Sequence, residues 1–281
     1  MRVGFHVSIY GSVDRAVDRA LEIGCNTLQI FTRNPRGWTA RPLRDEEVQA
    51  FIIKVEGNDV RPVFSHMPYL SNLASPKDEV YTKSIETLIT EMNRCERLGI
   101  PYLVTHLGSH LGYGVKMGLE RIIKAIDEAF SVAGDRVTLL LENTAGAKNS
   151  VGGSLTELQY IIEQTTYPDR IGICFDTCHA FAAGYDLRTE KSIDEVIREI
   201  EKTVGLNRLK LVHLNDSRGD LNSHIDRHEH IGLGKIGEKG FRNILRSEFA
   251  SLPLILETPK NGVRSDLDNL INVKKLAGEL G

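Results

Sequence analysis

Eight short apolar runs, each followed by an amphipathic segment, predict an α/β fold: a single-domain (β/α)8 TIM barrel with a site at the C-terminal face of the strands. The runs are too uniformly apolar to alternate between core and solvent, so each reads as a strand covered on both faces, as a parallel sheet demands. Six of them close on an acid or an imidazole: Val63-Phe64-Ser65-His66, Leu103-Val104-Thr105-His106, Leu139-Leu140-Leu141-Glu142, Ile173-Cys174-Phe175-Asp176, Leu211-Val212-His213 and Leu254-Ile255-Leu256-Glu257. An open, doubly wound sheet would spread those ends along an edge, whereas a ring makes them converge on one rim.

In chain order the strands are expected over Val3 to Val7, Thr27 to Phe31, Val63 to His66, Tyr102 to His106, Thr138 to Glu142, Ile171 to Asp176, Leu209 to His213 and Pro253 to Glu257. The first helix is expected over Ser12 to Ile23. There Val13, Val17, Ala20 and Leu21 recur at helical spacing, Asp14, Arg15, Asp18 and Arg19 face water, and Gly24 supplies the stop. Similar patterns place helices over Asp45 to Val55, Lys77 to Leu98, Lys116 to Phe130, Ser154 to Glu163, Ser192 to Val204, Phe241 to Glu248 and Asp266 to Leu280. No Pro/Ser-rich linker or low-complexity stretch interrupts the alternation. A barrel of about 250 residues folds as one domain, so the domain is expected to run over 1–281.

Apolar residues at 41% and charged residues at 26% are the balance of a soluble globular chain, and no stretch approaches the roughly 20 apolar residues of a membrane span. The chain is expected to enter a strand at once and to carry no signal peptide, and its four cysteines are scattered rather than framed for disulfides. A cytoplasmic location with no membrane partner is the expectation. Cys174 and Cys178 flank Asp176 without the CxxC spacing of a zinc knuckle, so they read as buried thiols. A net charge of −3 argues weakly against a nucleic-acid partner, but acids that neutralise bound cations leave a more positive surface than the formula suggests.

The polar strand ends are suited to metal ions. His66, His106 and Glu142 close three consecutive strands and can form a three-ligand site with an open position. Asp176, His213 and Glu257 close the remaining ones, and Glu142 lies between the two groups, where its two oxygens can bridge both. His179 follows Asp176 by three residues, and Asp226-Arg227-His228 places alternate side chains on one side of an extended chain. A lone strand-end His or Asp is more often a hydrogen-bonding group, yet six in succession are not independent accidents. Nitrogen and carboxylate ligands suit Zn²⁺, and the carboxylate-richer cluster also accepts Mn²⁺ or Fe²⁺. Three divalent ions against these carboxylates and a hydroxide leave a centre of about +1, attractive to an anionic phosphodiester. His6 reads as a support for a ligand or a substrate contact. His110, His224 and His230 read as loop histidines, with His224 and His230 the alternatives to Asp226 and His228.

The stretches Gly172-Ile173-Cys174-Phe175-Asp176-Thr177-Cys178-His179-Ala180-Phe181-Ala182-Ala183-Gly184-Tyr185-Asp186, His213-Leu214-Asn215-Asp216, Asp226-Arg227-His228 with His230-Ile231-Gly232, and Leu256-Glu257-Thr258-Pro259 closely resemble endonuclease IV, the abasic-site nuclease family of DNA repair. The resemblance runs from Gly4-Phe5-His6-Val7-Ser8 to Glu257. It implies a barrel with three zinc ions that hydrolyses the phosphodiester 5′ to an abasic site in duplex DNA, leaving a 3′-hydroxyl and a 5′-deoxyribose phosphate, and that removes 3′-blocking groups. It implies one metal on His66, His106 and Glu142, a second on Glu142, Asp176, His213 and Glu257, and a third on His179, Asp226 and His228. Glu142 is the implied catalytic residue, orienting a metal-activated hydroxide.

An abasic nucleotide must leave the duplex before its backbone reaches a buried centre, so a wedge is needed. By the same resemblance Arg36, Tyr69 and Leu70 are the residues that enter the base stack. Met67-Pro68 stands where relatives often carry a more polar pair. Arg33, Arg36, Arg41, Arg44, Arg218 and Arg227 are expected to add positive charge near the mouth. A monomer suffices for an open barrel mouth. The rival readings are a two-metal sugar isomerase or epimerase of similar barrel shape and a non-catalytic damaged-DNA-binding protein.

Overall fold

The computed structural model describes residues 1–280, in which hydrogen bonding closes a ring of eight parallel strands. In chain order the elements are β1 Val3–His6, α1 Arg15–Ile23, β2 Thr27–Ile30, α2 Asp45–Gly57, β3 Val63–His66, α3 Asp78–Leu98, β4 Tyr102–Thr105, α4 Val115–Val132, β5 Thr138–Glu142 and α5 Leu155–Gln164. There follow β6 Ile171–Asp176, α6 Thr177–Ala183, α7 Glu190–Thr203, β7 Leu209–His213, a hairpin of β8 Asp216–Ser217 and β9 His228–Glu229, α8 Gly237–Ile244, β10 Leu254–Leu256 and α9 Asp266–Leu276. The barrel runs β1 through β7 and then β10, which closes on β1 with Gly4 opposite Ile255 and Phe5 opposite Leu256.

All eight expected strands are present; β3, β5, β6 and β7 keep the expected bounds and the other four are trimmed, so that His106 and Glu257 stand one residue beyond β4 and β10. Helix α1 begins at Arg15 rather than Ser12 and leaves Leu21 38% exposed, while α9 stops at Leu276 rather than Leu280. Two elements escape the sequence pattern. Helix α6 is buried from Thr177 to Ala182, so it has no polar face whose period could be read. The β8–β9 hairpin pairs only two residues on each side, too few for an alternation.

The barrel interior explains why the polar strand ends meet. Phe64, Val104, Leu140, Cys174, Leu211 and Ile255 form an apolar cluster of their own, separate from the larger core between strands and helices. Each stands two positions before one of His66, His106, Glu142, Asp176, His213 and Glu257. Side chains on a strand change face at every residue, so the apolar and the polar set share the inner face, one layer above the other. On β1 and β2 the same step leads from Gly4 to His6 and from Thr27 to Gln29. The free cysteines are all buried, and among the described residues no helix is long and apolar enough to cross a membrane.

Closure of the ring depends on Gly4, because a Cβ there would fall 1.8 Å from the Thr27 carbonyl oxygen of the adjacent strand. The obstacle is backbone inside a hydrogen-bonded ladder and cannot swing aside. Gly4→Ala is therefore expected to destabilise the fold by about 3 kcal/mol, the upper end for overpacking. Thermal unfolding followed by circular dichroism checks this, and an unchanged midpoint would contradict it.

Candidate metal centre

The nine residues singled out in the sequence converge on the barrel mouth as three groups, the first two sharing Glu142: His66, His106 and Glu142; Glu142, Asp176, His213 and Glu257; and His179, Asp226 and His228. Within each group one ligand atom per residue lies within 4.8 Å of all the others. Glu142 is shared through different oxygens. Its Oε2 lies 3.1 Å from His66 Nε2 and 3.4 Å from His106 Nδ1, and its Oε1 lies 3.1 Å from His213 Nδ1. His213 Nδ1 is also 3.4 Å from Glu257 Oε2 and 3.9 Å from Asp176 Oδ2. In the third group Asp226 Oδ1 faces His179 Nε2 at 3.2 Å and His228 Nε2 at 3.8 Å.

The far side of most of these imidazoles is already committed. His66 Nδ1 donates to the Met67 carbonyl at 2.8 Å, His179 Nδ1 to that of Asn143 at 3.0 Å and His228 Nδ1 to that of Glu257 at 3.2 Å. His213 is reversed: its Nε2 donates to Gln29 Oε1 at 2.9 Å, leaving Nδ1 for the centre. A nitrogen that donates to an oxygen fixes the tautomer, so the opposite nitrogen presents its lone pair inwards. His228 Nε2 is buried with no hydrogen-bond partner. That is the donor set and the unmet valence a divalent cation satisfies, so the residues fit metal ions.

A further ring of residues, most of them not picked out in the sequence, holds the acids. Gln29 Nε2 donates to Glu257 Oε1 at 2.9 Å, and His6 Nδ1 sits 3.0 Å from that oxygen, which places His6 as a support for Glu257. Asn215 Nδ2 donates to Asp176 Oδ2 at 2.8 Å while its Oδ1 accepts from the Glu257 backbone at 2.8 Å. Asn143 Oδ1 accepts from the Asp176 N–H at 2.7 Å. Asp176 also caps α6, accepting the His179 N–H at 2.8 Å. The loop bearing Asp226 and His228 is gathered by buried Asp216, whose oxygens accept from the N–H groups of Ser217, Gly232, Gly234, Ile236 and Gly237.

Burial pushes Glu142 up, yet His106 and His213 outweigh it and hold this carboxyl well below the usual range. Burial would lower His179, but Asp176, Asp226 and Glu142 hold it well above the ordinary imidazole value. The hydrogen bond from His179 draws Asp226 down to about 2. In the absence of a cation the carboxylates thus retain protons on imidazole, and a bound cation must displace them. Cys178 also approaches Asp176 and His228. Burial pushes its thiol up to about 12, and its Sγ donates to the Arg227 carbonyl at 3.6 Å; burial pushes Cys174 up to about 12 as well. The other histidines stand apart. His110 Nδ1 accepts from Gly114 N–H, His224 Nδ1 donates to the Ala145 carbonyl, and His230 is buried between Asn261 and Asn269.

A family model described as a xylose isomerase-like TIM barrel matches residues 17–273. That description covers a barrel class and leaves open which chemistry a member performs. A probable endonuclease 4 of Methanoculleus marisnigri (strain ATCC 35101 / DSM 1498 / JR1) is 56% identical, with 98% of this chain and 99% of the relative covered. One of Methanosphaerula palustris (strain ATCC BAA-1556 / DSM 19958 / E1-9c) is 52% identical, with 99% and 98% covered. The crystal structure of endonuclease IV from Thermus thermophilus superposes with a TM-score of 0.89 at 37% identity, with 100% of both chains covered. The chain belongs to the endonuclease IV family.

In this endonuclease IV chain the centre opens into a cavity of about 230 Å³ walled by Phe31, His66, Tyr69, His106, His179, Asp226, His228 and Glu257. Tyr69 is 63% and Leu70 38% exposed, and Arg36 lies on the neighbouring loop. The Tyr69 N–H donates to the Pro35 carbonyl at 3.2 Å, joining the two loops. The Tyr69 ring meets Phe31 edge-on at 5.0 Å, and Phe31 lies 5.6 Å from the ring of His66. The expected band of positive charge is narrower than the sequence suggests. Arg33 is only 5% exposed and faces Glu91, Arg41 and Arg44 turn to Glu47, and Arg218 pairs with Glu229. Arg227 donates to the Asp226 carbonyl instead of to a carboxylate.

Gln29 fixes both an imidazole and a carboxylate of the second group. Gln29→Leu is expected to weaken divalent-metal affinity at that group by about 10–100-fold, the usual cost of losing a partner behind a ligand. Competition with a chromophoric chelator measures it, and wild-type affinity would refute the role.

Proposed function

We propose that this DNA-repair hydrolase incises duplex DNA on the 5′ side of abasic sites, leaving a 3′-hydroxyl and a 5′-deoxyribose phosphate, at a centre of three zinc ions. The observation that carries the reading is the shared carboxylate. Glu142 turns one oxygen to His66 and His106 and the other to His213, in a chain alignable end to end with endonuclease 4 proteins. His66, His106 and Glu142 would hold one ion, Glu142, Asp176, His213 and Glu257 a second, and His179, Asp226 and His228 a third. Mn²⁺ or Fe²⁺ also suits the carboxylate-rich second group. When bound, such ions supply a hydroxide nucleophile at neutral pH and stabilise charge on the phosphate and on the departing oxygen.

The protein's own contribution is positioning. The Glu142 carboxylate sets the separation of the first two groups, and its depressed pKa keeps it an acceptor at neutral pH, able to orient the attacking oxygen. The backbone carbonyls behind His66, His179 and His228 and the amide of Gln29 hold each ring at one angle before substrate arrives. A cavity of about 230 Å³ admits a sugar and its phosphates but not a paired duplex, so the nucleotide must be turned outwards. Tyr69 and Leu70 are exposed apolar groups suited to fill the gap in the base stack, and Arg36 brings a guanidinium to the backbone. The same centre would accept a blocked 3′ end, because the 3′-oxygen departs in both cases and only the group that remains on the phosphate differs. A single chain carries every group named, so a monomer suffices.

The third group and the exposed aromatic at the mouth exceed what a two-metal sugar isomerase requires. A damage-binding protein would have no use for one carboxylate between two ligand sets. Zinc-loaded protein incubated with an end-labelled duplex bearing one tetrahydrofuran site should give a single cut on its 5′ side. Glu142→Gln should lower the rate by more than about 100-fold while the chain stays folded. Tight binding without a cut would support the damage binder, and turnover of a free sugar with no action on DNA would support the isomerase.

A further inference from the structure

Helix α3 presents a buried carboxylate that the metal centre does not use. Glu91 is fully buried, and Thr32 Oγ1 donates to its Oε2 at 2.7 Å. Arg33 Nε lies 3.0 Å from Glu91 Oε1 but without hydrogen-bond alignment, so that contact is one of charge. Arg33 then donates through Nη1 to the Trp38 carbonyl at 2.8 Å and through Nη2 to Thr87 Oγ1 at 3.2 Å. Arg94, one turn beyond Glu91, donates to Thr32 Oγ1 and to the Arg41 carbonyl at 2.7 and 2.8 Å. The loop of residues 31–44 between β2 and α2 contains no helix or strand, yet it is tied to α3 at Thr32, Arg33 and Arg41, and Arg33 in turn holds Trp38. Arg36 and Pro35 lie between these ties, and Pro35 accepts the N–H of Tyr69.

A cavity of about 270 Å³ beside this network is lined by Thr32, Arg33, Asn34, Arg41 and Arg94 among others, and three arginines suggest an anion. Their guanidinium groups are already directed at carbonyls, hydroxyls, Glu47 and Glu91, which is the arrangement of a strut rather than of a phosphate cradle. We propose that Glu91, with Thr32, Arg33 and Arg94, is a positioning element that presets the β2–α2 loop. It holds Arg36, and through Pro35 also Tyr69, in the geometry that receives the duplex. The inference rests on the reading above that Arg36 and Tyr69 grip DNA. Its physical basis is that a long loop ordered during folding does not have to be ordered again when the substrate binds.

The test compares two substrates of the zinc-loaded full chain: a duplex with one tetrahydrofuran site, and bis(p-nitrophenyl) phosphate, which needs no grip. In Arg33→Met and Thr32→Val, KM for the duplex should rise about tenfold while kcat/KM for the small diester stays within about twofold. Amide hydrogen exchange over residues 31–44 should accelerate with the barrel strands unchanged. Thr32→Val keeps every charge in place and carries the test should Arg33→Met not fold. Both substrates declining together, or an unchanged duplex KM in a chain whose loop exchanges faster, overturns the positioning role. Arg36→Ala and Tyr69→Ala separate the two claims. If both leave duplex KM unchanged, the grip fails and the positioning role with it; if they raise KM while the strut variants do not, the positioning role alone fails.

Discussion

An ionised carboxylate with no exposed surface, Glu142 at the end of β5, is the constraint around which the mouth of this barrel is organised. Removing such a charge from water costs several kcal/mol unless other charges and hydrogen bonds compensate. Compensation here comes from imidazoles supplied by four separate segments: His66 from β3, His106 just past β4, His179 from α6 and His213 from β7. Each of those rings must face inwards at the height of Glu142. A closed barrel meets that demand because every strand turns alternate side chains to one interior, so the ends of separate strands converge on the same mouth.

The layer beneath reinforces the arrangement. Phe64, Val104, Leu140, Cys174, Leu211 and Ile255 form a fully buried apolar floor below the acids. A low-dielectric floor strengthens each charge contact above it and also raises the penalty for any polar atom left unmatched. The amides Gln29, Asn143 and Asn215 are the response. They add hydrogen bonds without adding charge, and each joins two strand ends rather than one.

Much of this was legible in the sequence, for a reason that also marks its limit. Buried parallel strands are compact apolar runs, so their ends, and the ionisable residues on them, can be read without knowing how the runs pair. The amides behind the ligands are not distinctive in that way. Gln29 stands one residue inside its strand end, and Asn215 two residues past His213, where polar residues are ordinary. Helix α6 was concealed by its burial on every side. Arg33 misled, since a cation beside a strand end reads as part of the mouth until its partner is known, and Glu91 belongs to a helix that packs there only in the folded chain.

The three ligand groups are not equally anchored. His66, Glu142, Asp176 and His213 lie on strands whose neighbours are hydrogen-bonded on both sides, so their relative positions are set by the barrel itself. Asp226 instead belongs to the excursion between β8 and β9, and its side chain is 59% exposed. Left to itself such a loop would sample many positions, and the ordering cost would fall on any cation that needed it. Asp216 removes most of that freedom in advance. By collecting the N–H groups of Ser217, Gly232, Gly234, Ile236 and Gly237 on one buried carboxylate, it draws the two ends of the excursion together, while the N–H groups of Asn222 and His224 donate to the Phe181 and Ala182 carbonyls of α6. The strand-borne groups therefore owe their precision to the sheet, whereas the third draws on α6 for His179 and on a loop tied down by Asp216 and by α6 for Asp226 and His228.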